Sequence, residues 1–328
     1  MGKYVIKRIL LMIFTLLIIT TICFTLIHLL PDAPIIKGIG VDPGLQVMKR
    51  DALGYNDPII VQYGRYLANV FKFGYFGVGR EMYKNEYVLT VMLEKLPYSV
   101  IVNLYSILFA IPLGLIFGIY AALKKNKWQD HLISTLVVIF ISVPVYVYAF
   151  LVQYFLCFKW NLFPLLVASK SQYAFFSLGM LRSMMPAIIS LGFGTVAGLT
   201  RYTRAELSEV LTSEFMLLAR TKGLTKAQAT TRHAMKNAMV VILPMIIGEF
   251  IGILGGSLII EQIFSIPGVG ALYITAIGKR DYNFFMADTI FYTAIGLLAG
   301  IVVDISYGFI DPRIRMGSRK WWMLINIM

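Results

Sequence analysis

The chain has 328 residues, of which 58% are hydrophobic and only 14% charged, against roughly 25% charged in an ordinary soluble domain. With a mean hydropathy of +0.75 and its apolar residues gathered into long unbroken runs, it is too apolar for one soluble core and reads as an all-α membrane protein. The net charge of +13 sits between the apolar runs and forms no groove-sized stripe, which fits anionic headgroups and topology control and argues against nucleic acid.

The first run, Ile9–Leu30, follows a basic start (Lys3, Lys7, Arg8). It is long enough for a full span and continues into Pro31-Asp32-Ala33-Pro34 with no small-x-small cleavage pattern, so it reads as a retained helix and not a signal peptide. His28 at its outer end reads as interfacial. Cys23 and Cys157 are isolated thiols in apolar runs, which suggests neither a disulfide framework nor a metal site.

The next stretch, Pro31–Lys95, nearly balances its basic residues with acidic ones (Asp32, Asp42, Asp51, Asp57, Glu81, Glu86, Glu94). Within it Val61–Phe71 carries apolar residues on one face at helical spacing. Two readings fit this: an amphipathic helix lying on the bilayer, or a small cap packed against outer loops.

Five further runs follow, at Tyr98–Leu123, Leu132–Cys157, Pro186–Leu199, Val240–Ile260 and Thr289–Ile310, making about six spans. The fourth is the shortest and extends back towards Leu181. Prolines 112, 144, 186 and 244 lie in or beside these spans, where kinks are expected. Lys and Arg are dense at the N-terminus, at Lys124–Lys127, in Arg201–Lys236 and in the tail Arg313–Lys320. By the positive-inside rule both termini are cytoplasmic and Pro31–Lys95 is outside. The chain thus divides into a first helix (1–30), an extracytoplasmic segment (31–97), a core (98–310) with a cytoplasmic segment at 201–237, and a cytoplasmic tail (311–328).

Glycines four apart occur as Gly114/Gly118, Gly194/Gly198, Gly248/Gly252/Gly256 and Gly296/Gly300. This spacing lets helix backbones approach, so spans two, four, five and six are expected to form the compact middle. Two carboxylates fall inside spans. Glu249 is expected either to face a water-filled substrate path or to be a protonated or hydrogen-bonded carboxyl at a helix interface. Asp304 is expected to partner Arg313 or Arg315. There is no phosphate-binding loop, Gly268-Val269-Gly270 lacks a strand–turn–helix setting, and the three histidines are scattered, so the chain reads as a non-catalytic subunit without metal or ATP of its own.

The segment Arg201–Lys236 reads as a helix, a sharp turn at Gly223, and a second helix capped by Thr225. Leu207, Val210, Leu211, Phe215, Leu218 and Leu224 give it an apolar face that no bilayer covers. That face either docks in a partner's groove or packs beneath the chain's own helices.

Here Glu214-Phe215-x-x-x-Ala219-Arg220-x-Lys222-Gly223-Leu224, followed by Arg232-His233-Ala234-x-x-Asn237-Ala238, resembles the coupling motif of binding-protein-dependent ATP-binding-cassette (ABC) importers. It is similar above all to the version found in peptide and nickel permeases. The general motif begins Glu-Ala-Ala where this chain has Leu217-Leu218-Ala219, a departure common in that subfamily, and Thr221 stands where alanine is usual. Leu29–Pro34, Asp57–Tyr63, Phe73–Gly77, Glu261–Gly270, Arg280-Asp281-Tyr282, Asp304 and Asp311–Arg315 also resemble the B-type subunit of oligopeptide and dipeptide permeases.

The resemblance implies a type I importer permease fold, and an assembly with a homologous second permease, two ATPase subunits that bind ATP and Mg, and an extracytoplasmic peptide-binding protein. It implies ATPase coupling through Glu214, Phe215, Ala219, Arg220, Lys222, Gly223, Leu224, Thr225 and Lys226. In the same complex Glu249 is the candidate path residue. Within the class, a nickel or metal-chelate importer is the alternative cargo reading. Outside it, an ion-coupled secondary transporter would want inverted repeats or more intramembrane charge.

Overall fold

A computed structural model describes residues 2–29, 48, 54 and 56–310. The readings that rest on Pro31–Pro34 and on the tail from Asp311, including Arg313 and Arg315, lie outside them. Among the described residues the fold is helical, with only two isolated β-bridges. The helices are α1 (Gly2–Leu29), α2 (Ile59–Phe73), α3 (Val88–Leu123), α4 (Trp128–Ser142), α5 (Val145–Lys159), α6 (Leu178–Leu211), α7 (Glu214–Thr221), α8 (Lys226–Gly255), α9 (Leu258–Ile263), α10 (Val269–Lys279) and α11 (Tyr282–Ile310). Five of these (α1, α3, α6, α8, α11) are long and apolar enough to cross a membrane, and the α4–α5 pair makes a sixth if it is one span.

Several boundaries differ from the sequence reading. The third span is broken: α4 and α5 meet at 102°, where Val143 turns extended ahead of Pro144, as the residue before a proline prefers. Pro97, Pro112, Pro186 and Pro244 instead lie inside continuous helices. The fourth span is far longer than Pro186–Leu199 because its serines and threonines are enclosed by protein. Ser190 Oγ donates to Pro186 O (2.7 Å) and Thr200 Oγ1 to Gly114 O (3.2 Å), so polar residues there do not signal a helix end. The second span begins at Val88, ten residues inside the stretch read as outer segment.

The α3–α6 pair is the centre of the packing. A Cβ on Gly114 would lie 2.7 Å from Leu199 Cβ, and one on Gly118 would lie 2.5 Å from Thr203 Cβ and 2.9 Å from Thr200 O. The other glycine ladders are not used in this way. Gly248 faces Val303, but Gly252 meets nothing within 4 Å and Gly256 is a left-handed turn at φ +62°. Gly198, Gly296 and Gly300 also meet nothing within 4 Å. The tight glycine contacts are therefore those of α3 with α6, while Gly296 and Gly300 on α11 face open space in the single chain. The last turns of α11 are tied to α1 by Arg8 Nη2 and Asp304 Oδ2 at 2.8 Å, while Arg313 and Arg315, the partners expected for Asp304, lie outside the described residues.

Outside the spans, α2 lies against α1. The Tyr63 and Tyr66 rings sit 5.1 and 5.6 Å from Phe24, and the hydroxyls of Thr21 and Tyr63 are 2.8 Å apart. Ile60, Phe71 and Phe73 remain exposed. His28 stacks on Phe24 at 4.0 Å, and its Nδ1 lies 2.7 Å from the Phe24 carbonyl.

Candidate functional site

The segment between α6 and α8 is a capped hairpin. α6 stops at Leu211, Ser213 is extended, and α7 starts at Glu214 with the negative side chain in its first turn, where the helix dipole favours it. Gly223 follows at φ +90°, a left-handed conformation open to glycine. Thr225 then opens α8 with a reciprocal cap: Gln228 N donates to Thr225 Oγ1 (3.2 Å) and Thr225 N to Gln228 Oε1 (3.0 Å). A capping box of this kind fixes where the second arm starts.

The apolar face expected for this segment divides in two. Met216 and Ala219 turn inward and pack with Leu207, Ala229, Ala234 and Ala122, while Val210, Leu211 and Leu224 cover the edge. Phe215, Leu217 and Leu218 point outward, with Leu217 66% and Leu218 56% exposed. Glu214, Arg220, Lys222, Gly223, Thr225 and Lys226 are also exposed. The hairpin is thus held from beneath by its own chain and presents an apolar ridge bordered by charge. Leu217 was missed from sequence because helical spacing places it away from Leu207 and Leu211. Ala122 in the same cluster puts the basic turn Lys124–Lys127 at this end of the molecule.

Glu249, the other residue singled out, lies on α8 and is exposed on the chain's surface beside Phe250. The structure does not bring it near the hairpin.

At the opposite end a polar hub orders the loops before α3 and between α8 and α11. Asp281 Oδ2 accepts from the backbone N–H of Arg80 (2.8 Å), Glu81 (2.9 Å) and Met82 (3.0 Å). Burial lowers the Arg80 guanidinium from its ordinary range and the Asp281 charge opposes this. Nearby, Ser257 N donates to Glu261 Oε1 (3.2 Å), Ala271 N to Glu261 Oε2 (3.0 Å), and Val269 N to Ser99 Oγ (2.9 Å). Burial pushes the Glu261 carboxyl up from its ordinary value, against bonds from Ser99 and backbone amides that pull it down. A Cβ on Gly268 would collide with Glu261 and Ser99, so glycine is required there by space. From sequence, Glu261 and Asp281 drew notice only through a motif, and Ser99 not at all, because one serine in an apolar run carries no signal.

A further pair escaped the sequence reading. Arg204 on α6 reaches Asp130 on α4, Nε to Oδ1 at 2.5 Å and Nη2 to Oδ2 at 2.9 Å. Asn126 N also donates to Asp130 Oδ2 (2.9 Å). The partners are 74 positions apart, so no local pattern links them.

Together these features define a multi-span membrane protein with an uncovered apolar ridge at its basic end and an ordered loop hub at the other. Residues 114–316 match the family described as the binding-protein-dependent transport system inner membrane component, and residues 1–103 match its N-terminal companion. The chain belongs to that family. It is 35% identical over 316 residues to a dipeptide transport system permease protein of Lactococcus lactis subsp. cremoris, covering 96% of this chain and 100% of the relative. It is 32% identical over 320 residues to a dipeptide transport system permease protein of Bacillus subtilis (97% and 100% covered). A glutathione transport system permease protein of Salmonella typhimurium is 30% identical over 317 residues (96% and 99% covered).

Proposed function

We propose that this chain is the membrane-spanning permease of a binding-protein-dependent ABC importer for peptides, driven by ATPase subunits that dock on the α7 hairpin. The observation that carries this reading is the outward ridge of Phe215, Leu217 and Leu218 on a hairpin whose other face is already filled. An apolar ridge held rigid and left uncovered at the basic end wants a groove on another protein. The relatives named for dipeptide and glutathione transport support a short peptide as cargo.

In this reading ATP and Mg belong to the two ATPase subunits, and the chain itself is non-catalytic. Both termini are cytoplasmic in the cell membrane, which agrees with the Arg8–Asp304 contact between the inner ends of α1 and α11. The open face of α11, with Gly296 and Gly300 free of neighbours, suits a homologous second permease, since small residues allow close helix approach. Glu249 faces the path that the two permeases enclose. The hub around Asp281 and Glu261 receives an extracytoplasmic binding protein. The exposed edge of α2, packed on the outer half of α1, lies in the outer leaflet.

When ATP draws the ATPases together, the hairpin moves with its groove and biases the bundle between inward- and outward-open arrangements. Glu214, Arg220, Lys222 and Lys226 supply the charged border, and Gly223, Leu224 and Thr225 hold the turn. Purification of the chain with its cognate ATPases, followed by ATP-dependent uptake of a labelled dipeptide in proteoliposomes, tests this. Uptake that persists without any ATPase subunit would overturn it.

A further inference from the structure

We infer that Asp130 is a positioning residue of the transport cycle: with Arg204 it forms the joint through which the docking hairpin moves the broken third span. This rests on the hairpin being the ATPase contact.

The route is continuous in the structure. The hairpin's underside, Met216 and Ala219, is packed on Leu207 of α6, so displacement of α7 is passed to α6 directly. α6 is one uninterrupted helix of 34 residues, and it is locked to α3 by the backbone-close contacts at Gly114 and Gly118. Its hold on α4 is of another kind. At the inner end of α4 the Asp130 carboxylate is fully buried and accepts from Arg204 Nε and Nη2, from Asn126 N, and from Ser134 Oγ at 3.4 Å. Two parallel guanidinium bonds resist rotation as well as separation, so the inner end of α4 must follow α6.

The outer end of α4 is held less specifically, by the Phe140 ring stacked on Phe193 of α6 at 4.7 Å. It leads into the extended Val143 and the 102° bend to α5. A rod clamped at one end and hinged at the other converts a shift of α6 into a swing of α5. The α5 helix in turn packs on α6 through Ala149, in one cluster with Met180 and Met184, and through Tyr148 edge-on to Phe193 at 5.6 Å, and it reaches the hub through the bond from Gln153 Nε2 to Ile263 O (3.0 Å). The joint therefore links the side that binds the ATPase to the side that orders the outer loops. Packed contacts ending in an element with two discrete arrangements are one physical route for such coupling.

The experiment uses the assembled transporter in proteoliposomes with its ATPases, binding protein and a labelled dipeptide. In Asp130→Asn the ATPases are expected to copurify and to hydrolyse ATP, while dipeptide imported per ATP falls about tenfold, the scale of an ordinary coupling free energy. Arg204→Lys keeps the charge but loses the fork and should fall between. Asp130→Glu should restore most of the ratio. A wild-type ratio in Asp130→Asn overturns the inference. So does loss of assembly in Asp130→Asn accompanied by a wild-type ratio in Arg204→Lys, which would make the pair a folding element only. If the hairpin reading itself is wrong, disrupting Gly223 leaves transport intact whatever Asp130 does, so the two failures are distinguishable.

Discussion

The carboxylate of Asp281 holds the backbone amide of Met82 at 3.0 Å across 199 positions of sequence, together with the two amides before it. One oxygen thus closes the segment before α3 onto the start of α11, beside the buried side chains of Met82, Val88 and Phe284. Asp281→Ala leaves three amides without their acceptor, each costing about 1–3 kcal/mol if it stays buried. The variant should unfold at a clearly lower temperature in detergent and be cut by protease within residues 75–87. Unchanged protease resistance would show that the hub does not depend on this carboxylate.

The glycine ladders can be ranked by what surrounds them. Gly118→Ala drives a methyl into Thr203 and the Thr200 carbonyl, an overpacking expected to cost about 1–3 kcal/mol. Gly300→Ala meets nothing within 4 Å and should leave the isolated chain as stable as before. If α11 contacts the second permease, Gly300→Ala should instead weaken recovery of that partner. Thermal unfolding of the single chain, set beside recovery of the pair, separates the two effects.

The contrast between those glycines shows what could be read from sequence. The same spacing occurs on α3 and α11, but spacing alone does not say which ridge finds its groove inside the chain. Length and apolar run placed the spans, and the Thr225 cap and Gly223 turn were legible because local backbone chemistry specifies both. The break at Pro144 was not, since Pro112, Pro186 and Pro244 sit in equally apolar runs and stay helical. The Asp130–Arg204 and Ser99–Val269 contacts join residues distant in sequence, and only the packed fold brings them together.

Glu261 gives the loop hub a pH dependence of definite sign. Burial raises its carboxyl above the ordinary value, so the folded protein retains a proton that the unfolded chain has already lost. That contribution to stability is full below the ordinary carboxylate value and is lost as pH rises through the raised one. The difference in unfolding temperature between the wild type and Glu261→Gln should therefore shift against the wild type as pH rises. A difference that is flat, or of opposite slope, contradicts the assignment.

Glu249 is open to the surface of the single chain. In a background with Cys23 and Cys157 replaced, Glu249→Cys in the assembled transporter should react with a membrane-impermeant thiol reagent, and the rate should change with nucleotide. Absence of labelling in every nucleotide state would place this side chain at a helix contact and not in the path.

The central claim is that the hairpin of α7, turned at Gly223, transmits the work of an ATPase to the spans. Gly223→Asp tests it most directly, because φ +90° disfavours a side chain and the new carboxylate adds negative charge beside Lys222. The expected result is a variant that inserts into the membrane in normal amount and imports no peptide in proteoliposomes. Import at the wild-type rate would contradict the account.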